Sequence, residues 1–443
     1  ASTAPPTSLT QRAARGAAWV LGGYTASQVI RLGGNLVLTR LLFPEAFGVM
    51  AIVNTLLQGL QMFSDVGIGP AIIRSQRVDA GLLNTAWTLQ IIRGLSLCLI
   101  GMLLAWPAAV FYGRPELTGL MIAAAITAAI DGFNSPALFT LNRDLKLKQV
   151  VARDLASQVL GVIVMIALAL VWRSVWPLVI GALVRGVANM LLSHGLTTQR
   201  LRPGWDRGAL RELYSFGRFV FLSTAATFIA QGGERLILGK FLPMETLGVF
   251  AIALYLSQLP WQVVQKLTNR VLFPSFAELL RKQRARAIHL HRRARLAFQL
   301  LSIGLMLVWL VGGQWLVDWL YDPRYVAAGW MVQFLGLRAV CDTVRFPQQK
   351  MLTAAGFPIY TMLASVSLAI GVSAGLILAL TFGGLTAALT VLALSPMPGL
   401  YIQTWGMCRH FPEVRRGELL DALISSVAVL AVAIYLNGWG AAS

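Results

Sequence analysis

The sequence predicts an all-α polytopic membrane protein, with about 13 transmembrane helices in two six-helix pseudo-symmetric lobes plus a C-terminal helix. Three observations predict it. Apolar runs of about 18 residues or more, long enough to span a bilayer core, recur along the whole chain. An internal repeat links two distant stretches: residues 38–52, LTRLLFPEAFGVMAI, reappear as residues 238–252, LGKFLPMETLGVFAI. Basic residues crowd into every second loop, the asymmetry expected of cytoplasmic connections.

The elements follow in order. Span 1 (17–42) and span 2 (46–65) flank a short hinge at Phe43-Pro44-Glu45. Spans 3 to 6 cover 83–106, 117–139, 152–172 and 176–197. A polar, basic stretch at 200–212 reads as a cytoplasmic linker. Span 7 (213–242) and span 8 (246–267) repeat the opening hairpin at an offset of 200, with Leu38/Leu238, Glu45/Glu245, Gly48/Gly248 and Ile52/Ile252 identical. A basic amphipathic segment at 274–296 comes next, and spans 9 to 13 cover 297–320, 326–344, 357–381, 384–407 and 419–437. This predicts an N-lobe over 17–199, a C-lobe over 213–408 and an extra helix within 409–443. Residues 1–16 lack the apolar core and cleavage site of a signal peptide and read as a flexible cytoplasmic tail.

Orientation follows from charge. The even connections carry Arg74 and Arg77, then Arg143, Lys146, Lys148 and Arg153, then Arg200 to Arg211, the 266–295 cluster, Arg345 and Lys350, and Arg409 to Arg416. The odd ones carry only Arg40, Arg114, Arg173, Lys240 and Arg324. The N-terminus is therefore expected in the cytoplasm. The stretch from Arg281 to Arg295 can in addition lie against anionic headgroups. The repeated hairpins begin six helices apart, an even number, so both copies enter with one orientation, and the lobes are expected to be related by an axis along the membrane normal with a substrate site between them.

Only 12% of residues are charged and 57% are apolar, with a formal net charge of +19. About a quarter of a soluble domain is charged, so no soluble class fits. Confinement of the excess to alternate loops argues against nucleic acid. Cys98, Cys341 and Cys408 are too scattered for a disulfide framework or metal site. His194, His289, His291 and His410 form no helical ligand pair, and no P-loop is present, so nothing reads as an enzyme.

Polar residues inside the spans recur at helical spacing. Tyr24, Gln28, Arg31 and Asn35 share one face of span 1, and Asn54, Gln58, Gln61 and Asp65 share one face of span 2. In the second copy the same registers carry Thr224, Phe228, Gln231 and Arg235 beside Glu234, then Gln258, Gln262, Gln265 and Asn269. Polar groups facing lipid are costly. Such stripes either line a hydrated cavity or glue a bundle by interhelical hydrogen bonds. Four full-length stripes favour the cavity.

The cations at membrane depth are Arg31, Arg93, Arg185, Arg218, Arg235 and Arg338; the anions are Asp65, Asp131, Glu234 and Asp342. Arg338 and Asp342 have the spacing to neutralise each other, Arg93 and Arg185 can tie to Asp131, and Arg218 can snorkel. Arg31 and Arg235 make the strongest case for an anion, because guanidinium matches phosphate with paired hydrogen bonds. The candidate substrate-binding set is Arg31 and Arg235, supported by Gln28, Asn35, Gln58, Gln231, Gln258, Arg93, Arg185 and Arg338. Asp65, Asp131 and Glu234 are candidates for proton or sodium coupling, or else plain charge partners; no other cofactor is expected. Gly22-Gly23, Gly33-Gly34 and Gly232-Gly233 permit either bending or tight packing.

Arg40-Leu-Leu-Phe-Pro44-Glu-Ala-Phe47-Gly48, Phe63-Ser-Asp65-Val-Gly67, Ala71-Ile-Ile-Arg74 and the block from Ser135-Pro136 to Arg143-Asp144 resemble the Wzx-type oligosaccharide flippases. These are polysaccharide transporters of the multidrug/oligosaccharidyl-lipid/polysaccharide exporter superfamily. The resemblance covers nearly the whole chain in layout. It implies two six-helix lobes, alternating access, a cationic central cavity and an undecaprenyl-pyrophosphate-linked glycan carried to the outer leaflet. It implies as partners the lipid-linked oligosaccharide, membrane lipids, and a polysaccharide polymerase with its chain-length machinery, around a monomeric transporter. Related readings are a lipid II-type cell-wall precursor flippase and a multidrug exporter of the same superfamily. The exporter would need a cavity rich in carboxylates and poor in arginine, the reverse of the pattern here.

Overall fold

The computed structural model describes residues 9–64, 72, 79–143, 146–196, 202–206, 228 and 232–440. Among the described residues every regular element is a helix. The chain divides into two compact units, Ala1–Ala225 and Ala226–Ser443.

In the first unit α1 is Leu9–Leu41, α2 Pro44–Phe63, α3 Ala80–Tyr112, α4 Glu116–Gly132, α5 Ala137–Arg143, α6 Leu147–Val171 and α7 Trp176–Gly195. Asp79 starts α3 by accepting a hydrogen bond from the Leu82 amide at 2.8 Å. Gly113, at φ 66°, ends it in the left-handed conformation that glycine adopts without penalty. Apolar side chains gain little by meeting each other instead of lipid, so helices associate where small residues let backbones approach. At the α3–α4 contact a Cβ on Gly94 would lie 2.6 Å from the Ala128 carbonyl oxygen and 2.8 Å from the Gly132 Cα. Gly94→Leu is therefore expected to destabilise the unit by about 1–3 kcal/mol through overpacking. A thermal-unfolding midpoint no lower than the parent's would contradict this packing.

The described part of the linker is strapped to the start of α3. The Arg202 amide donates to Asn84 at 3.1 Å, the Gly204 amide to Thr88 at 3.0 Å and the Asp206 amide to Thr85 at 2.9 Å.

In the second unit α8 is the helical stretch 232–241, α9 Met244–Lys282, α10 Arg284–Leu320, α11 Ala328–Ala354, α12 Ile359–Phe382, α13 Gly384–Leu394, α14 Met397–His410 and α15 Arg415–Gly440. α11 is the buried centre, packed against α9, α10, α13, α14 and α15.

The sequence repeat is also a structural one. Both copies break at one place, with Leu42 and Leu242 amides each donating to the carbonyl four residues back at 2.8 Å. Phe43 (φ −78°, ψ 153°) and Pro243 (φ −57°, ψ 145°) adopt the same extended conformation before the next helix starts. Leu38, Val49 and Ile52 are buried in one unit, and Leu238, Val249 and Ile252 in the other.

Several elements differ from the sequence reading. α1 already begins at Leu9, inside the expected tail 1–16, and the expected span 117–139 is divided into α4 and α5. The basic stretch 274–296 is not a separate surface helix. α9 runs through Pro260 and Pro274 to Lys282, the chain turns at Gln283, and α10 begins at Arg284. Its apolar side is covered: Phe276 joins a buried cluster with Met351, Leu352, Tyr360, Met407, Phe411 and Val414. The expected span 384–407 is interrupted at Ser395-Pro396, giving α13 and α14. Proline there removes a helical donor and crowds the preceding turn.

Among the described residues, seven helical segments are long and apolar enough to cross a membrane: α3, α6, α7, α10, α12, the α13–α14 pair and the stretch Pro412–Gly438. Their outward faces are lipid-like, with Val171 86%, Phe382 83%, Val311 78% and Leu300 71% exposed. Of the other expected spans, α1, α2 and α9 carry polar stripes and α11 carries Arg338, Asp342 and Arg345; α4 is apolar but only 17 residues long, and most of 213–242 lies outside the described residues.

Candidate functional site: arginines on the inner helices

In the first unit, α1 lies against α6 through glycine: a Cβ on Gly34 would come 2.8 Å from Val162. One turn before Arg31, the Ser27 hydroxyl donates to Gln158 at 2.6 Å, and the Gln158 amide donates back to the Ser27 carbonyl at 2.9 Å. Gln158 is only 4% exposed. This reciprocal bond fixes the register of α1 on α6. On a neighbouring face of α6, Gly161 accepts the α7 backbone, and its absent Cβ would sit 2.8 Å from the Arg185 Cβ. α1, which carries Arg31, and α7, which carries Arg185, are thus both packed on α6.

Both guanidinium groups are on exposed residues. Arg185 experiences the positive charge of Arg31 as well as the negative charges of Asp154 and Asp131. Among the described residues, neither arginine has a hydrogen-bond or ion-pair partner. Two guanidinium groups in range of each other, with Asp154 and Asp131 near enough to act on Arg185 but forming no described ion pair with it, leave donors open to an anion.

The remaining first-unit candidates are more committed. Arg93 donates from Nε to the Ser64 hydroxyl at 2.9 Å and from Nη2 to the Gln61 carbonyl at 3.0 Å, so it caps the end of α2. The Gln28 amide donates to the Tyr24 hydroxyl at 2.7 Å. Asn35 is half-buried and Gln58 exposed. Asp131, on an exposed residue, accepts a long 3.4 Å hydrogen bond from Asn134 and feels the charges of Arg185, Arg93 and Arg153. The expected direct ties from Arg93 or Arg185 to Asp131 are not among the ion pairs of the described residues. Asp65 and Gln231 lie outside the described residues.

In the second unit the charges form a chain. Glu234 on α8 is 1% exposed and accepts from Arg338 Nη1 on α11. Arg338 Nε lies 4.0 Å from Asp342, whose other oxygen lies 2.8 Å from Arg345 Nη2. The main partner of Arg338 is therefore Glu234, 104 residues away in sequence, with the same-helix Asp342 second. Signs alternate along the chain and cancel. Beside it Arg235 is half-buried, with no hydrogen-bond or ion-pair partner among the described residues. Gln258 is half-buried on α9.

Sequence reasoning missed Gln158 and a second buried network. His291 Nε2 lies 2.5 Å from Glu418, and Gln348 donates to the other Glu418 oxygen at 2.6 Å and to the Thr404 hydroxyl at 3.1 Å. The one available signal was two acidic residues, Glu418 and Asp421, opening an apolar span.

The fold defines the class first. Over 94% of this chain and 97% of the other, it matches the lipid II flippase MurJ in an inward closed conformation, with a TM-score of 0.72 and 10% identity. An inward-facing multidrug resistance MATE family transporter of the MOP superfamily matches over 93% and 96%, with a TM-score of 0.57 and 12% identity. This likeness establishes a MOP-type transporter fold.

The chain belongs to the polysaccharide biosynthesis protein family, whose model matches residues 37–328. That region holds Arg93, Arg185 and Arg235; Arg31 and Arg338 fall outside it. The succinoglycan biosynthesis transport protein ExoT of Rhizobium meliloti is 25% identical over 71% of this chain and 65% of its own length. The lipopolysaccharide biosynthesis protein WzxC of Escherichia coli is 20% identical over 61% and 56%. The teichuronic acid biosynthesis protein TuaB of Bacillus subtilis is 23% identical over 49% and 46%. The chain thus spans between 46% and 65% of the length of these relatives.

Proposed function

We propose that the protein is a flippase. It translocates an undecaprenyl-pyrophosphate-linked oligosaccharide from the cytoplasmic to the outer leaflet of the inner membrane by alternating access, for polysaccharide export. The chain crosses the membrane about 13 times with a cytoplasmic N-terminus, and it acts as a transporter with no chemical step. The observation that carries this reading is the pair Arg31 and Arg185: two exposed guanidinium groups without a described ion-pair partner, on two helices that both pack on α6. A diphosphate suits such a pair, because each guanidinium offers a fork of donors to phosphate oxygens. Arg235, half-buried and without a described ion-pair partner, is the corresponding candidate in the second unit. Gln28, Asn35, Gln58, Gln231 and Gln258 offer hydrogen bonds to phosphate and sugar. Arg93 and Arg338 hold the helices that carry the site.

Family membership and the relatives named for succinoglycan, lipopolysaccharide and teichuronic acid biosynthesis support a glycan cargo. Of the three candidate coupling carboxylates, Glu234 is neutralised by Arg338. Asp131 is exposed and without a described ion pair, and is the better site for a coupling proton or sodium ion. A polymerase and its chain-length machinery would take the flipped product.

The test is flipping by proteoliposomes holding the purified chain and a fluorescent lipid-linked oligosaccharide, with and without proton or sodium gradients. Transfer of the pyrophosphate-linked glycan, with little transfer of a cationic drug, is expected. Drug transport without glycan transfer would select the multidrug exporter instead.

A further inference from the structure

A second cationic site, built from other residues, lies in the second unit where α10 and α15 begin. A cavity of about 400 Å³ opens there, lined by Arg292, Arg295, Glu413, Val414, Arg416 and Gly417. Three of these side chains are guanidinium groups. Arg416 is exposed and, among the described residues, has no hydrogen-bond or ion-pair partner. Arg292 uses Nη2 to donate to the Glu413 carbonyl at 2.6 Å, which closes one rim and leaves its other donors for an occupant. Arg295 forms the floor, its Nη1 3.1 Å from Asp421. Gly417 leaves room for it: in this placement a Cβ at 417 would fall 2.2 Å from Arg295 Nη1, so the guanidinium lies directly on the first turn of α15. Gly417 and Asp421 are one turn apart and present the same helix face to Arg295.

The first amides of the 26-residue α15 have no intrahelical acceptor and add positive potential. The Glu413 carboxylate opposes an anion, but it lies 3.7 Å from Arg284, which offsets it. The walls therefore keep an excess of positive charge. Just inward along the same two helices, the surface turns apolar and exposed: Leu296 54% and Leu300 71% on α10, Leu419 49%, Leu420 55% and Leu423 57% on α15. A soluble phosphate would use only the cavity. A phosphate carrying acyl chains would use both surfaces.

We propose that this cavity binds the phosphate of an anionic phospholipid headgroup, whose acyl chains lie along the exposed leucines of α10 and α15. The site is separate from the inner arginines and does not depend on what the chain transports.

Native mass spectrometry of the full chain tests it, with phosphatidylglycerol, phosphatidylcholine and inorganic phosphate as probes. The parent should retain phosphatidylglycerol in preference to phosphatidylcholine. Arg292→Gln combined with Arg416→Gln should weaken that retention by about tenfold or more. Arg416→Gln alone, a change on an exposed side chain, should give a smaller loss in the same direction. Arg281→Gln with Lys282→Gln removes the same charge from the exposed end of α9 and should leave retention unchanged. Millimolar phosphate should not displace the lipid. Equal retention by the Arg292/Arg416 variant and the parent would overturn the site, as would an equal loss in the Arg281/Lys282 control. Displacement by phosphate would identify a free anion as the occupant and overturn the lipid assignment.

Discussion

Arg31→Ala should nearly abolish glycan export while leaving the protein folded. The side chain is exposed and makes no described ion pair, so its removal breaks no contact that holds α1 on α6. Ser27 and Gln158 keep that register without it. Removing one partner from a desolvated charge pair costs about 2–5 kcal/mol, or about 30-fold and upward in rate if the contact is made at the barrier. Arg185→Ala should act in the same direction. The double variant should lose less than the product of the two singles, because both groups address one anion. Arg235→Ala should reproduce the defect from the second unit. The measurement is surface polysaccharide in a complemented deletion strain, paired with a thermal midpoint of the purified variant. Normal polysaccharide in Arg31→Ala and Arg235→Ala would remove both arginines from the transport path.

The other large effect falls on stability. Glu234→Gln should destabilise the second unit by about 3–5 kcal/mol, because it strands the Arg338 guanidinium in the interior without its main counter-charge. Asp342 at 4.0 Å is shared with Arg345 and cannot replace it. Arg338→Met should be costly for the same reason, leaving Glu234 buried and charged. The double variant Glu234→Gln/Arg338→Met should recover much of the loss, since a buried pair replaced by apolar groups of similar size is often near neutral. Denaturant unfolding of the four proteins in a cycle measures this. A Glu234→Gln protein as stable as the parent would show that the pair holds nothing together.

The two predictions differ in how far the sequence could reach them. Arg31 stands out by spacing alone: it falls on a stripe with Tyr24, Gln28 and Asn35, and no carboxylate lies within a turn of it. The Glu234–Arg338 pair could not be found this way. Its members are 104 residues apart, while Asp342 offered Arg338 a partner at helical spacing on its own helix. Local periodicity reports which residues share a face. It does not report which face of another helix will meet them.

The same division explains the other surprises. The repeat at offset 200 was legible because it is written in residue identity, and the hinge dihedrals at Phe43 and Pro243 follow from local chemistry. The break at Gln283 and the burial of Phe276 and His291 were not legible. A basic amphipathic stretch looks the same whether its apolar side meets lipid or protein, and here α11 and α14 supply that cover.

By itself, the sequence determined an all-helical membrane chain, the duplicated hairpin and a surplus of inner arginines over carboxylates, because hydropathy, identity and charge are properties of short stretches. Only the tertiary structure decided which of those arginines are spent on Glu234, Ser64 or Asp342 and which remain open. That outcome depends on helices brought together from distant parts of the chain, where a buried charge must find whatever opposite charge the packing delivers.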